Sequence, residues 1–333
     1  MSLYAVTVIA QQPEKKLTVS AYAEAYYTYD FDRPENNSRA SYLYNYSRHN
    51  EFNLNLGYVK VNYSAERVRG NVALAVGTYM NANYAAEPGV LKNVFEANAG
   101  YKLSAKKNLW LDIGIIPSHI GFESAVGKDN WTLTRSFVAE NSPYFESGAK
   151  LSFTTDNNKL TVAALALNGW QRITRVDGNS LMSWGTQIFY KPTEEVSLNY
   201  STFIGSDKPD IARLWRYYHD LYAVWQANEK IGITAGLDMG WEQKVKGSED
   251  LNNWIAPLCI VRYKLSEKWA VAYRFEYFKD KNGVIIPSEN PNGFDIAGNS
   301  INIDYIPADN IVMRIEARHL ESAALTFSTA INF

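Results

Sequence analysis

The chain has 333 residues, with 33 Lys and Arg against 35 Asp and Glu, and the net charge of −2 removes any electrostatic case for nucleic acid. Mean hydropathy is negative. No apolar run approaches the ~18 residues that a membrane helix needs, so a chain of this kind crosses a membrane only as a closed barrel, the other way to satisfy every backbone group in lipid. The 23 Tyr, 14 Phe and 9 Trp suit such a barrel, whose two interfaces take rings that are dry at one end and wet at the other; the competing reading is an aromatic-rich soluble sandwich or carbohydrate binder.

In chain order, residues 3–10 read as the apolar end of an export signal without its basic start. Val8 and Ala10 fit the small-residue rule for a cleavage site. Residues 1–10 are therefore expected to be a residual signal peptide or an artificial leader, and 11–333 a single domain. Short polar turns follow at 65–67, 104–108, 155–159, 192–195, 227–230, 266–268 and 307–310, roughly every 35–50 residues. Longer segments rich in Gly, Asn, Ser, Pro and charge lie between them, at 31–50, 85–92, 119–145, 169–182, 206–213, 246–253 and 280–293, with a last tight reversal at 321–323. Short turns at one end and long loops at the other are the asymmetry of an outer-membrane barrel.

The intervening stretches are expected strands: 17–30, 51–64, 68–84, 93–103, 109–118, 146–154, 160–168, 183–190, 196–205, 214–226, 231–245, 254–265, 269–279, 294–306, 310–320 and 324–333. They make an all-β, transmembrane antiparallel barrel of about 16 strands, with 14 or 18 also compatible. Their faces are legible by period 2. Ile231, Ile233, Ala235, Leu237, Met239 and Trp241 alternate with Gly232, Thr234, Gly236, Asp238, Gly240 and Glu242. Trp269, Val271, Tyr273, Phe275 and Tyr277 alternate with Arg274 and Glu276; Ile311, Met313, Ile315 and Ala317 alternate with Arg314, Glu316 and Arg318. Phe95, Ala97, Ala99 and Tyr101 oppose Glu96, Asn98 and Lys102. The apolar rows are expected to face lipid, where a charge near mid-membrane costs roughly 2–4 kcal/mol. The single Cys259 excludes an internal disulfide and reads as a small wall residue. Stretch 51–64 changes phase, which a β-bulge near Gly57 would repair, and 163–167 is apolar on both faces and has no readable phase.

The longest connection, 119–145, follows the fifth strand. Asn130 is placed to cap a short helix from Trp131, with Leu133 and Phe137 on one face and Asn141, Ser142 and Pro143 at its end. A loop of this length with its own aromatics usually packs against something, here the inside wall. It would then act as a constriction bringing Glu123, Lys128, Asp129, Arg135 and Glu140 into the passage, opposite Arg216, Asp238, Glu242, Arg262, Arg274, Glu276, Arg314, Glu316 and Arg318. Opposed charges across a narrow slot order water and select polar solutes, and Arg314 and Arg318 are expected to set ion selectivity; for each charge the plainer reading is that it only solvates the lumen and cross-pairs.

Enzyme readings find little purchase. His49, His119, His219 and His319 are the only histidines, and although His119 and Ser124 are near in sequence, no nucleophile elbow surrounds them. No His, Cys or carboxylate group has zinc spacing, and no phosphate-binding Gly-rich loop occurs. Asp30, Asp32 and Glu35 read as a solvated acidic loop before they read as a calcium site. No catalytic activity, metal or cofactor is expected.

The chain ends on Leu325, Phe327, Thr329, Ile331 and Phe333 alternating with Thr326, Ser328, Ala330 and Asn332. A closing strand with a terminal aromatic looks like the C-terminal signature that outer-membrane assembly machinery is thought to read. Gly-Ile-Ile-Pro at 114–117, Gly-Phe-Glu at 121–123, Asn-Ser-Pro-Tyr at 141–144, Gly148 and Asn-Gly-Trp at 168–170 resemble the central region of the β-barrel porin-2 (OmpL-like) family. The resemblance spans most of the chain after Gln11 and implies a porin in the outer membrane of a Gram-negative bacterium. It carries no catalytic residues. The expectation is passive diffusion of small hydrophilic solutes or ions, with outer-membrane lipid, the assembly machinery through Phe333 and two further copies in a homotrimer as partners. A surface adhesion or structural barrel that displays loops without transport is the alternative.

Overall fold

The computed structural model describes residues 16–333; the proposed leader lies outside them. Sixteen strands form one closed sheet in which each strand pairs antiparallel with its sequence neighbours and the last returns to the first. They are β1 (Lys16–Asp30), β2 (Phe52–Ser64), β3 (Val68–Val76), β4 (Val94–Lys102), β5 (Asn108–Pro117), β6 (Phe145–Thr154), β7 (Leu160–Leu167) and β8 (Ser183–Tyr190). The second half comprises β9 (Val196–Gly205), β10 (Arg216–Gln226), β11 (Ile231–Gln243), β12 (Leu251–Lys264), β13 (Trp269–Asp280), β14 (Phe294–Ala308), β15 (Ile311–His319) and β16 (Ala323–Asn332). No strand edge is left open, which is what a sheet in lipid requires. At the seam Ala23 pairs with Ile331, and the Phe333 amide donates to the Ala21 carbonyl at 2.9 Å.

The alternation read from the sequence holds around most of the wall. Trp269, Tyr273, Phe275 and Met313 are exposed on the outer face, while Arg274, Glu276, Arg314, Glu316 and Arg318 are buried inside. Cys259 sits on the outer row between Ala235 and Phe275. The stretch without readable phase, β7, turns Ala163, Leu165 and Leu167 inward, into an apolar cluster with Ile116 and Ile120. The bulge falls at Asn55: Glu24 lies opposite Leu56 and Ala25 opposite Leu54, so Asn55 is the extra residue.

Three local expectations are corrected. The strand expected at 68–84 stops at Val76; Gly77, at φ 126°, turns the chain into a short helix, α1 (Thr78–Asn83). A Cβ at Gly77 would stand 2.4 Å from the Asn55 carbonyl, so the turn requires glycine. Phe95 does not face lipid. The register skips it between Ala73 and Leu74, and its ring stacks inside on Tyr58 at 5.5 Å and meets Tyr79 edge-on. In 119–145 the helix does not begin at Trp131. It is a single turn, α2 (Phe137–Glu140), capped by Ser136, whose hydroxyl accepts from the Ala139 amide, and followed by Asn141. Asn130 instead closes a tight loop, accepting from the Ser124 amide and donating to the Ser124 and Val126 carbonyls. Its side chain had nearer backbone partners behind it than ahead.

Candidate functional site

The interior is where backbone irregularity and charge meet. Residues 119–145 contact the inward side chains of β12 to β16, and the irregular backbone there has no sheet or helix to satisfy it. Wall charges take that role. The amides of Leu133, Thr134 and Phe137 donate to Asn302, Glu316 and Glu276, at 3.1, 2.7 and 2.7 Å. Arg274 donates to the Thr134 carbonyl at 2.6 Å and to Glu316 at 2.9 Å. Arg314 donates to the Gly127 and Asn130 carbonyls at 2.7 and 2.6 Å and lies 3.0 Å from Asp304. Arg318 completes the row, bonded to Glu276 at 3.0 Å.

Within the loop, Arg135 donates to three carbonyls, those of Ser124, Leu133 and Ala125. Glu123 accepts from the Ser136 amide and hydroxyl, and burial raises its carboxyl above the usual range, with Arg274 opposing. Glu140 reaches the first long loop and accepts from the Tyr44 amide at 2.9 Å and the Asn45 amide at 3.2 Å. Burial pushes its carboxyl up to about 7, against the pull of Asn45 and Arg318. The first loop is thereby drawn in too, and Tyr42 and Leu43 join Phe137, Phe278, Ile286 and Phe294 in an apolar plug toward the long-loop end.

The expected site residues thus divide into two groups. Arg135, Glu140, Arg274, Glu276, Arg314, Glu316 and Arg318 are buried in docking contacts, and Glu123 is engaged within the loop while bordering two cavities beside it. Asp238 is also sealed; it accepts from the Tyr218 hydroxyl and sits across the strand pair from Asp220. Arg216 and Glu242 pair cross-strand at 2.7 Å, with the guanidinium over the Trp170 ring. Lys128, Asp129 and Arg262 remain accessible.

Sequence reading turned Glu96 inward but counted no residue of the opposite wall, on β2 to β6, among those lining the passage. Lys60 pairs with Glu96 at 2.6 Å and Arg69 with Asp112 at 2.5 Å, and Lys150 is the cross-strand neighbour of Asp112. In each pair the cation is the more exposed partner: 22% against 8%, and 42% against 10%. The signal was present, as inward parity of charged residues on adjacent strands, but β2 carries a bulge that hides the parity. A cavity of about 270 Å³ lies between this wall and the loop, bounded by Glu96, Phe95, Ile120 to Val126 and Tyr144. A second, of about 190 Å³, continues past Phe122 and Trp131 to Val224, Thr234 and Ile260.

His119 has a structural role. Its Nδ1 donates to Glu146 at 2.8 Å and its Nε2 to the Thr202 carbonyl at 2.9 Å, so both nitrogens are occupied as donors. Burial opposes protonation, but the Glu146 carboxylate outweighs it and raises the imidazole above its usual range. A histidine held in this way has no lone pair with which to activate Ser124. Among the described residues, no group of three His, Cys, Asp or Glu is placed to hold a metal ion.

A closed sixteen-strand antiparallel barrel with an oily outer face, short turns at one end and an inward-drawn third connection defines an outer-membrane channel barrel. Residues 16–332 match the family described as "Putative beta-barrel porin-2, OmpL-like", and the chain belongs to that family and to the bacterial outer membrane. Solved structures share the fold at very low identity. The outer membrane channel DcaP of Acinetobacter baumannii is 10% identical with a TM-score of 0.63, over 96% of this chain and 97% of that one. OmpT of Vibrio cholerae in its trimer form is 9% identical at 0.62, over 96% and 99%. An anion-selective porin from Comamonas acidovorans is 6% identical at 0.62, over 96% and 100%. At these identities the likeness concerns the fold alone. No curated protein sequence matches the chain.

Proposed function

We propose that the protein is a porin through which small hydrophilic solutes or ions diffuse passively, along the space between the third loop and the wall on β2 to β6 and β10 to β12. The loop acts as the constriction. One observation carries this reading. Charge on the docking wall is consumed in contacts, whereas the cavity of about 270 Å³ lies beside Glu96, on a wall whose cations Lys60 and Arg69 keep exposed surface. Such a passage needs no chemistry and no cofactor. Outer-membrane lipid covers the outer rows, a homotrimer is the proposed assembly, and Phe333, which is exposed at the seam, is the proposed handle for the assembly machinery.

The test is a planar bilayer. Purified, folded protein should give stepwise conductance, and a barrel that inserts without conducting would sink the porin reading. The second reading, a barrel that displays loops without transport, is favoured by the apolar plug around Tyr42, Phe137 and Phe294. The same recording separates the two.

A further inference from the structure

Among the described residues, one inward guanidinium of the wall is left without a hydrogen-bond acceptor. Arg262 points inward from β12, and its nearest carboxylate is Asp304 at 3.9 Å. That carboxylate is already engaged by Arg314 at 3.0 Å and by Asn302 at 2.6 Å, and is almost fully covered. Among the described residues Arg262 finds no hydrogen-bond acceptor, and its buried Nε is unmatched. A buried charged donor left without an acceptor has lost its water and gained nothing in return, so the position favours an incoming acceptor.

The surroundings define what that acceptor is attached to. Arg262 lines a cavity of about 250 Å³ that reaches Ile306, Asp309 and Ile311 beside a short turn, and therefore opens toward the short-turn end. Trp131 lines the same cavity and also the one of about 190 Å³ that continues inward. Directly across the strand pair from Arg262 stands Gly232. A Cβ there would meet the Trp131 ring at 2.6 Å, so glycine leaves the space in which the indole lies against the wall. Lys128 adds a second accessible cation at the rim, offset by Asp129 at 3.3 Å.

We infer that Arg262 and Trp131 form a binding subsite for small organic monoanions, a carboxylate on the guanidinium and an apolar or aromatic body on the indole. The planar fork of Arg matches a carboxylate in bidentate fashion, and the ring supplies flat apolar contact. The nearby Asp304 and Asp309 disfavour multiply charged anions. The inference deepens the channel reading and rests on it for the route by which solute arrives.

The test uses the folded, detergent-solubilised barrel with benzoate as the probe and benzyl alcohol as its neutral counterpart, read by saturation-transfer NMR. Benzoate should receive transfer that acetate competes away, and benzyl alcohol markedly less. Arg262→Gln should reduce the benzoate signal at least threefold, whereas Lys106→Gln, in an exposed short turn outside the lumen, should leave it intact. Equal benzoate signals in wild type and Arg262→Gln would overturn the subsite, as would equal transfer to benzyl alcohol. Because this readout needs no conductance, a barrel that binds benzoate but carries no current would fail as a porin and keep the site, while a conducting barrel with unchanged binding in Arg262→Gln would lose the site alone.

Discussion

Two walls of the same barrel use the same residue types in opposite ways. On β13 to β15, Arg274, Glu276, Arg314 and Glu316 are buried and bonded to the backbone of residues 127–137, with Arg318 buried against Glu276. On β2 to β6, Lys60 with Glu96 and Arg69 with Asp112 form pairs that each reach over one intervening strand, beside open space. The difference is set by what lies opposite. An irregular loop inside a barrel must find a partner for each amide and carbonyl, and charged side chains are strong partners at short range. Where no loop is docked, the same charges remain available to water and solute.

The sharpest way to break the contrast is to remove the central cation of the docking wall. Arg274→Ala leaves Glu276 and Glu316 facing each other in a buried site without the guanidinium between them. A loss of about 3–5 kcal/mol is expected, read as a lower unfolding midpoint in denaturant, together with larger and noisier single-channel currents as the loop loosens. A stability unchanged within error would mean that the loop is not held by this row.

The outer face offers the next largest effect. Leu237→Lys places a charge at the middle of β11 on the outer row and should cost about 2–4 kcal/mol in lipid vesicles, whereas the inward neighbour Thr234→Lys tests filling of the lumen instead. Equal effects on stability and current would erase the distinction between the two faces.

Selectivity should follow the open wall. Lys60→Gln with Arg69→Gln is expected to shift the anion-to-cation permeability ratio toward cations by about twofold or more, measured as reversal potential in a salt gradient. Arg314→Ala with Arg318→Ala, the pair singled out by sequence, should change conductance and stability more than the ratio, because both side chains are sealed under the loop. A dominant change in ratio from the second pair would reverse this assignment.

The smallest effect concerns pH. Glu140 joins the first and third loops and has its carboxyl raised by burial to about 7. A raised acid favours the docked state while protonated, so docking is strongest at low pH and weakens as pH rises through about 7. Opening frequency is expected to increase about threefold across that range, and Glu140→Gln should abolish the dependence.

Much of this molecule could be read in advance, and the errors have a common form. Strand count, turn positions and the faces of β11, β13 and β15 follow from period 2 and turn chemistry, which are local. Phe95 and the end of β3 were misread because a bulge and a positive-φ glycine shift phase without changing composition. The helix in the third loop was placed six residues early because Asn130 and Ser136 are both competent caps, and which one caps depends on what backbone comes near.

By itself, then, the amino-acid order determined that oily and polar side chains alternate in sixteen segments and that export to a lipid boundary suits them, since those properties are written between neighbours a few positions apart. Only the closed cylinder decided which charges are used to hold a loop and which are left beside open space. Partners such as Thr134 and Glu316 stand 182 positions apart along the chain, and no local pattern records which wall a loop will rest against.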